Sequence, residues 1–194
     1  MDGNRLYFLI GDVSGKGVPA SLFMAITRSL FRTLSQQVLS PAKIVTDMNN
    51  SISDNNESNM FVTLIVGILD LETGKLKLCN AGHNPPILIR PDGQVSFLEF
   101  KTQIFVGVIE EFAYTEDETT LEKGSKLFLY TDGVTEAENT EKELYGDEKL
   151  LKTLSDNNTS DVRTTVNGIE DSVADHVKEA EASDDLTILL IQYE

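Results

Sequence analysis

Apolar residues follow two rhythms along this chain, and the switches between them mark the elements. Leu6 to Ile10 is a continuous apolar run, which predicts a buried strand opening into a Gly loop at Gly11. From about Pro19 the spacing becomes three and four, placing Phe23, Ile26, Leu30 and Leu34 on one face of a helix. Ser40-Pro41 supplies an N-cap followed by proline at the first helical position, and Ile44, Met48 and Ile52 give the next helix its apolar face. Asp54 to Asn59 holds no core-forming residue and reads as a polar loop.

Strand signals then cluster. Phe61 to Leu69 is rich in Val, Ile and Leu, and Glu72-Thr73-Gly74-Lys75 reads as a hairpin turn into Leu76 to Cys79. Pro91-Asp92-Gly93 is a second turn, joining Ile87-Leu88-Ile89 to Val95 to Leu98. Lys126 to Thr131 is a further strand. Helices follow at roughly Asp147 to Leu154 and along Val162, Val166, Ile169, Val173 and Val177. Leu186 to Ile191 closes the chain as a strand apolar on both faces. Hairpins dominate the middle, so the sheets are predicted to be mainly antiparallel. Two packed sheets with helices outside would cover strands of this kind, and no repeat, linker or low-complexity tract breaks the chain.

Charge narrows the function. With 16 basic residues against 32 acidic ones the net charge is −16, which argues against a nucleic-acid partner. At 194 residues the chain fits one domain spanning 1–194, with 40% hydrophobic and 25% charged residues, as in ordinary soluble globules. No apolar run approaches the ~18 residues of a membrane span, and the start does not resemble a signal peptide. A lone cysteine, Cys79, fits a reducing, cytoplasmic setting and a packed strand position.

Candidate chemistry lies in three acidic strings at the ends of apolar runs. They are Gly11-Asp12-Val13-Ser14-Gly15-Lys16-Gly17, Tyr130-Thr131-Asp132-Gly133 and Ser183-Asp184-Asp185-Leu186-Thr187. Converging carboxylates repel one another unless hard cations such as Mg2+ or Mn2+ sit among them. Two such ions would turn a local charge of about −3 into about +1, which attracts phosphate. That is the outline of a two-metal phosphoryl hydrolase. The Gly loop misses the nucleotide P-loop spacing, because three residues rather than four precede Gly15-Lys16 and Gly17 follows. Taken alone, Asp132 reads as a helix N-cap and Asp184-Asp185 as a polar lead-in to the last strand. His83, in a tight loop, reads as a structural histidine bonded to backbone; His176 and the acids Glu170, Asp171, Asp175, Glu179 and Glu181 read as a solvated helix face. Ser14 lacks a nucleophile-elbow context, so a serine hydrolase is poorly supported.

Four motifs in order, Gly11 to Gly17, Asn80-Ala81-Gly82-His83-Asn84-Pro85-Pro86, Tyr130 to Glu136 and Asp184 to Thr187, give the chain its resemblance. It resembles the bacterial serine phosphatases of the RsbU and sporulation stage II E type, among the metal-dependent phosphatases related to protein phosphatase 2C. The resemblance implies an α+β fold, a four-layer α-β-β-α sandwich with a binuclear Mn2+ or Mg2+ site. It implies Asp12 as the carboxylate bridging two ions, the Val13 carbonyl as a ligand to one, and Asp132 and Asp184 as ligands to the other. A metal-activated water would attack phosphorus directly, without a phosphoenzyme. The implied substrate is a phosphorylated anti-sigma-factor antagonist; a homodimer is admitted. Two departures stand out. The family's upstream acidic strand is not in this sequence, with Asp2 no obvious substitute, so a shortened, N-terminally truncated domain is expected. Where eukaryotic-type relatives carry a histidine proton donor, this chain has Ser14, so the proton donor is unassigned. The rival readings are a pseudophosphatase that binds without turnover and a two-metal phosphodiesterase or nuclease, the latter disfavoured by the acidity.

Overall fold

The computed structural model describes residues 4–54, 56, 59–159, 161–180 and 184–194. Asp2, Glu181 and Ser183 therefore lie outside the described residues, as do Asn55, Glu57 and Ser58 of the polar loop. The elements run β1 (Arg5–Val13), α1 (Val18–Leu34), α2 (Pro41–Ser53), β2 (Val62–Asp70), β3 (Lys75–Ala81), β4 (Ile87–Ile89), β5 (Val95–Phe97), β6 (Asp117–Thr120), β7 (Lys126–Tyr130), α3 (Asp132–Thr135), α4 (Gly146–Asp156), α5 (Val162–Val177) and β8 (Ile188–Gln192). They form two compact units, each made of two stretches of chain: Met1–His83 with Phe100–Leu121, and Asn84–Glu99 with Glu122–Glu194.

The first unit is a sheet in the order β1-β2-β3-β6 with every neighbour antiparallel. Because side chains alternate along a strand, Val62, Leu64, Val66 and Ile68 share one face of β2. They pack there with Val13, Cys79 and Ala81 against Ile44, Val45, Met48 and Ile52 of α2. Ser40 caps α2, its hydroxyl accepting from the Lys43 N–H at 3.2 Å, with Pro41 in the first turn as the sequence predicts. Glu116 adds to this cap, accepting from the Ser40 hydroxyl and the Ala42 N–H, while Lys77 pairs with its other oxygen at 2.9 Å. Burial raises the Glu116 pKa, but the bonds from Ser40, Lys77 and Ala42 together outweigh it and hold this carboxyl below its ordinary range.

One reading of this unit is corrected, and one strand has no expectation to match it. Of the predicted α1 face, Phe23, Leu30 and Leu34 are half-buried, whereas Ile26 is 53% exposed. Thr27 is the fully buried position instead, its hydroxyl bonded back to the Phe23 carbonyl at 2.9 Å. Secondly, β6 has the sequence Asp-Glu-Thr-Thr, without an apolar alternation to announce it. It is an edge strand held to β3 by its ladder and by the Lys75–Glu118 ion pair.

The second unit is a sheet in the order β5-β4-β7-β8, again antiparallel throughout. All five residues of the central strand β7 are buried. Phe128 and Tyr130 join Ile87 and Ile89 under Leu150 and Leu154 of α4 and Ile169 and Val173 of α5. The closing strand β8 is only half-buried along its length, since its place at the sheet edge leaves one side uncovered. Each sheet thus carries helices on a face, and the chain has the α+β class with two antiparallel sheets that was predicted.

Candidate functional site

In the first unit the acidic string begins inside the sheet, not in a loop. β1 continues through Gly11, Asp12 and Val13, which pair with Leu64, Thr63 and Val62. Val13 turns its side chain into the core, and Asp12, one residue back, faces the opposite side of the sheet. Ser14 closes the strand end: its N–H donates to the Phe61 carbonyl at 2.9 Å and its hydroxyl accepts from the Phe61 N–H at 2.9 Å. Beyond it, Gly15 and Gly17 take φ values of 85° and 80°, conformations that L side chains rarely adopt. The second of them caps α1.

Thr63 links Asp12 to the Asn80 to Pro86 motif. Its hydroxyl lies 2.9 Å from Nδ1 of His83 and 3.5 Å from the Asp12 carbonyl. His83 is 4% exposed. Its backbone is clasped by Asn80, which donates to the His83 carbonyl at 2.9 Å and accepts from its N–H at 2.8 Å. The histidine is buried and structural as expected, but its ring meets a threonine hydroxyl rather than backbone. Thr63 itself was missed, because a partner twenty residues upstream leaves no local signal.

In the second unit Asp132 is not the helix cap. Thr131 holds that position, and Asp132 opens the four-residue α3. Asp132 Oδ1 is buried and has no hydrogen-bond partner among the described residues. Thr131, 2% exposed, ties this turn to the approach of β8. Its N–H donates to the Thr187 carbonyl, its hydroxyl donates to the Asp185 carbonyl, and it accepts from the Thr187 N–H, each at 3.1 Å. Gly133 allows the close fit, since a Cβ there would lie 2.4 Å from the Asp185 carbonyl oxygen. Asp132 and the Asp184-Asp185 pair are thereby brought to neighbouring strand ends. Asp184 is exposed, with its Oδ1 accepting from the Asp185 N–H at 2.8 Å.

An orphaned, buried carboxylate oxygen is what a hard cation needs, and the oxygen donors that each unit offers, Asp12 and the Val13 carbonyl in the first and Asp132 and Asp184 in the second, are of the kind that Mg2+ or Mn2+ takes rather than softer metals. Among the described residues, no three His, Cys, Asp or Glu side chains are already gathered as a metal-binding group. Elsewhere Cys79 is an inert thiol, pushed up to about 12 by burial and then by Glu116. His176 is engaged rather than solvated, with Nδ1 3.1 Å from Lys149 Nζ and Nε2 3.0 Å from the Glu143 carbonyl. Glu170, Asp171, Asp175 and Glu179 are exposed as predicted.

The architecture is shared with solved phosphatases. The SiaA-PP2C domain of Pseudomonas aeruginosa superposes with a TM-score of 0.85 at 20% identity, covering 98% of this chain and 80% of that one. The catalytic domain of the serine/threonine phosphatase PstP, solved in complex with two manganese ions, superposes with a TM-score of 0.70 at 14% identity over 96% of this chain and 90% of that one. The fold is therefore of the protein phosphatase 2C type. The family model for Stage II sporulation protein E (SpoIIE) matches residues 2–194, and the chain belongs to that family. Protein IcfG of Synechocystis sp. is 29% identical over 96% of this chain and 33% of its own length. Phosphoserine phosphatase RsbU of Bacillus subtilis is 26% identical over 98% of this chain and 56% of its own. The chain thus spans between a third and just over half of these curated relatives. Among the described residues, no helix is long and apolar enough to cross a membrane.

Proposed function

We propose that this chain removes phosphate from phosphoserine or phosphothreonine on a protein, using two Mn2+ or Mg2+ ions. Asp12 and the Val13 carbonyl, with Asp132 and Asp184, are the proposed ligands. The observation that carries the proposal is the buried Asp132 Oδ1 without a hydrogen-bond partner among the described residues. A half-buried carboxylate left in this state costs free energy that a cation would recover. Bound divalent ions supply charge neutralisation at the phosphate and an acidified water.

The protein's own residues orient the set. Thr131 fixes the turn that carries Asp132 against the segment that carries Asp184. Thr63 and His83 brace the strand pair at Asp12. Ser14 is occupied in closing the strand end, which supports leaving it out of proton transfer. One family match spans both compact units, which supports reading them as one phosphatase domain.

The substrate we infer is a phosphorylated anti-sigma-factor antagonist, supported by the similarity to RsbU. With a net charge of −16 the surface repels acidic phosphopeptides in general, so a docked protein surface contributes much of the recognition. Phosphate release from phosphoproteins, with and without Mn2+, is the test. Manganese-dependent release that Asp132→Asn abolishes supports the reading. Tight Mn2+ binding with no release from any phosphoprotein favours a binding module instead.

A further inference from the structure

The segment from Phe105 to Ile109 is tied down by polar residues yet leaves three of its apolar side chains, Phe105, Val108 and Ile109, partly exposed. Asn49, fully buried, accepts from the Gly107 N–H at 2.9 Å and donates to the Ile109 carbonyl at 2.8 Å. Asn56 donates to the Gly107 carbonyl at 3.1 Å, and the Tyr114 hydroxyl donates to the Phe105 carbonyl at 3.1 Å. The backbone of the loop is thus fixed from several elements. Phe105, Val108 and Ile109 nevertheless remain 38%, 49% and 47% exposed. Leaving them there gains nothing for the core, so a rigid apolar surface has been built for something else.

Its place in the sheet says for what. Val106 exchanges two backbone hydrogen bonds with Val62, each 3.0 Å, and both valines point into the helix-side core with Val13. Alternation sends Phe105, Phe61 and Asp12 to the opposite face. There Phe105 stacks on Phe61, with centroids 5.0 Å apart and planes 23° from parallel. Phe61 is the residue doubly bonded to Ser14, two positions past Asp12. The ring of Phe105 also lies over Gly82, where a Cβ would come within 2.1 Å of it. Asp12 and Phe105 are separated by two strand spacings, about 10 Å. An extended peptide covers that distance in roughly three residues at ~3.4 Å each.

We infer that Phe105, on its Phe61 support and with Ile109 four residues further along the same segment, receives an apolar side chain two or three residues from the phosphorylated serine of the substrate. This rests on the phosphatase reading and makes these residues determinants of specificity. Two phosphoserine peptides that differ only in carrying Leu or Ser at those flanking positions test it, assayed with Mn2+. The wild-type chain should favour the Leu peptide by about tenfold in kcat/KM, the scale on which a hydrophobic contact discriminates. Phe105→Ala should bring the two peptides within about twofold, and Phe105→Leu should restore most of the preference. Equal rates for both peptides in the wild type, or a preference that Phe105→Ala leaves intact, overturns the inference. If Phe105→Ala fails to fold, Ile109→Ser serves in its place. If neither peptide is hydrolysed, Mn2+-dependent release from a phosphoprotein decides the phosphatase reading separately, and anisotropy of the labelled peptides on the metal-free chain decides the surface alone. Tighter binding of the Leu peptide, lost in Phe105→Ala, supports it; equal binding overturns it.

Discussion

The two strand ends that carry the candidate ligands are built in opposite ways. Around Asp12 the neighbours bond one another: Ser14 with Phe61, Thr63 with the His83 ring, and the His83 backbone with Asn80. Around Asp132 the frame is equally tight, through Thr131 and Gly133, but the carboxylate oxygen at its centre is left without a hydrogen bond among the described residues. One end is a mesh of side chains that bond one another, and the other a frame around a carboxylate oxygen that has no hydrogen bond among the described residues. A strand end can therefore be rigid whether or not its functional group is content, and it is the unmet group that points to a ligand.

The contrast can be broken most directly through catalysis. Asp12→Asn and Asp132→Asn should each lower Mn2+-dependent phosphate release by more than about 100-fold, since even residues that merely support metal ligands cost about 10–100-fold. Steady-state release from a phosphoprotein checks this, and retention of a tenth of the wild-type rate by either variant would refute the ligand assignment. Melting sharpens it further. Saturation with Mn2+ at about 100 times its dissociation constant should add about 2.7 kcal/mol, or roughly 5–10 °C for a chain of this size. Asp132→Asn should lose that gain yet match or exceed the wild type in chelator, because it removes an unmet charge. A variant that melts well below the wild type in chelator would show the carboxylate to be satisfied already.

Smaller effects separate frame from charge. Thr131→Val keeps the shape but strips the hydroxyl from a buried triple contact, and should cost about 1–3 kcal/mol in chemical denaturation whether or not metal is present. A cost that appears only with Mn2+ would make Thr131 part of the metal response and not of the frame. The smallest effect belongs to Glu116, which supports the cap of α2. Its pKa is lower in the folded chain than in the unfolded one, so its contribution is complete above the unfolded carboxylate value of about 4.3 and fades as pH falls through the folded value. Denaturation midpoints of wild type and Glu116→Gln should differ by a constant amount near neutrality and converge below about pH 4. A gap that widens on acidification would reverse the sign and the argument.

Much of the fold is written locally. The continuous runs of β1, β2 and β7 and the spacings in α2 and α5 need no partner to be read, because burial on both faces or on one stripe marks them. What escaped depends on residues far away. Asp12 reads as a loop residue because its string looks like a Gly loop; it is a strand residue because Thr63 and Val62 extend the pairing that far. Ile26 fits the α1 periodicity but is exposed, since the apolar arc of that helix is wider than the surface covering it. Strand β6 exists through its pairing with β3 and has no pattern of its own. At the site the acids are legible as motifs, and Thr131 and Thr187 fall inside two of those strings without their positioning role showing, whereas Thr63 lies outside all of them. A threonine that positions a ligand looks in sequence like any other strand residue.

The interleaving of the two units has a consequence for how the protein is made. The first unit takes its edge strand β6 from residues beyond Glu99, and the second takes β4 and β5 from residues before Phe100. As the chain leaves the ribosome, β4 and β5 emerge before their sheet partner β7, and they must wait as a lone hairpin, which is marginal in water. The first unit completes only when Leu121 has emerged. No single cut in the gene yields either unit whole, so recombination can pass this pair between proteins only as one block.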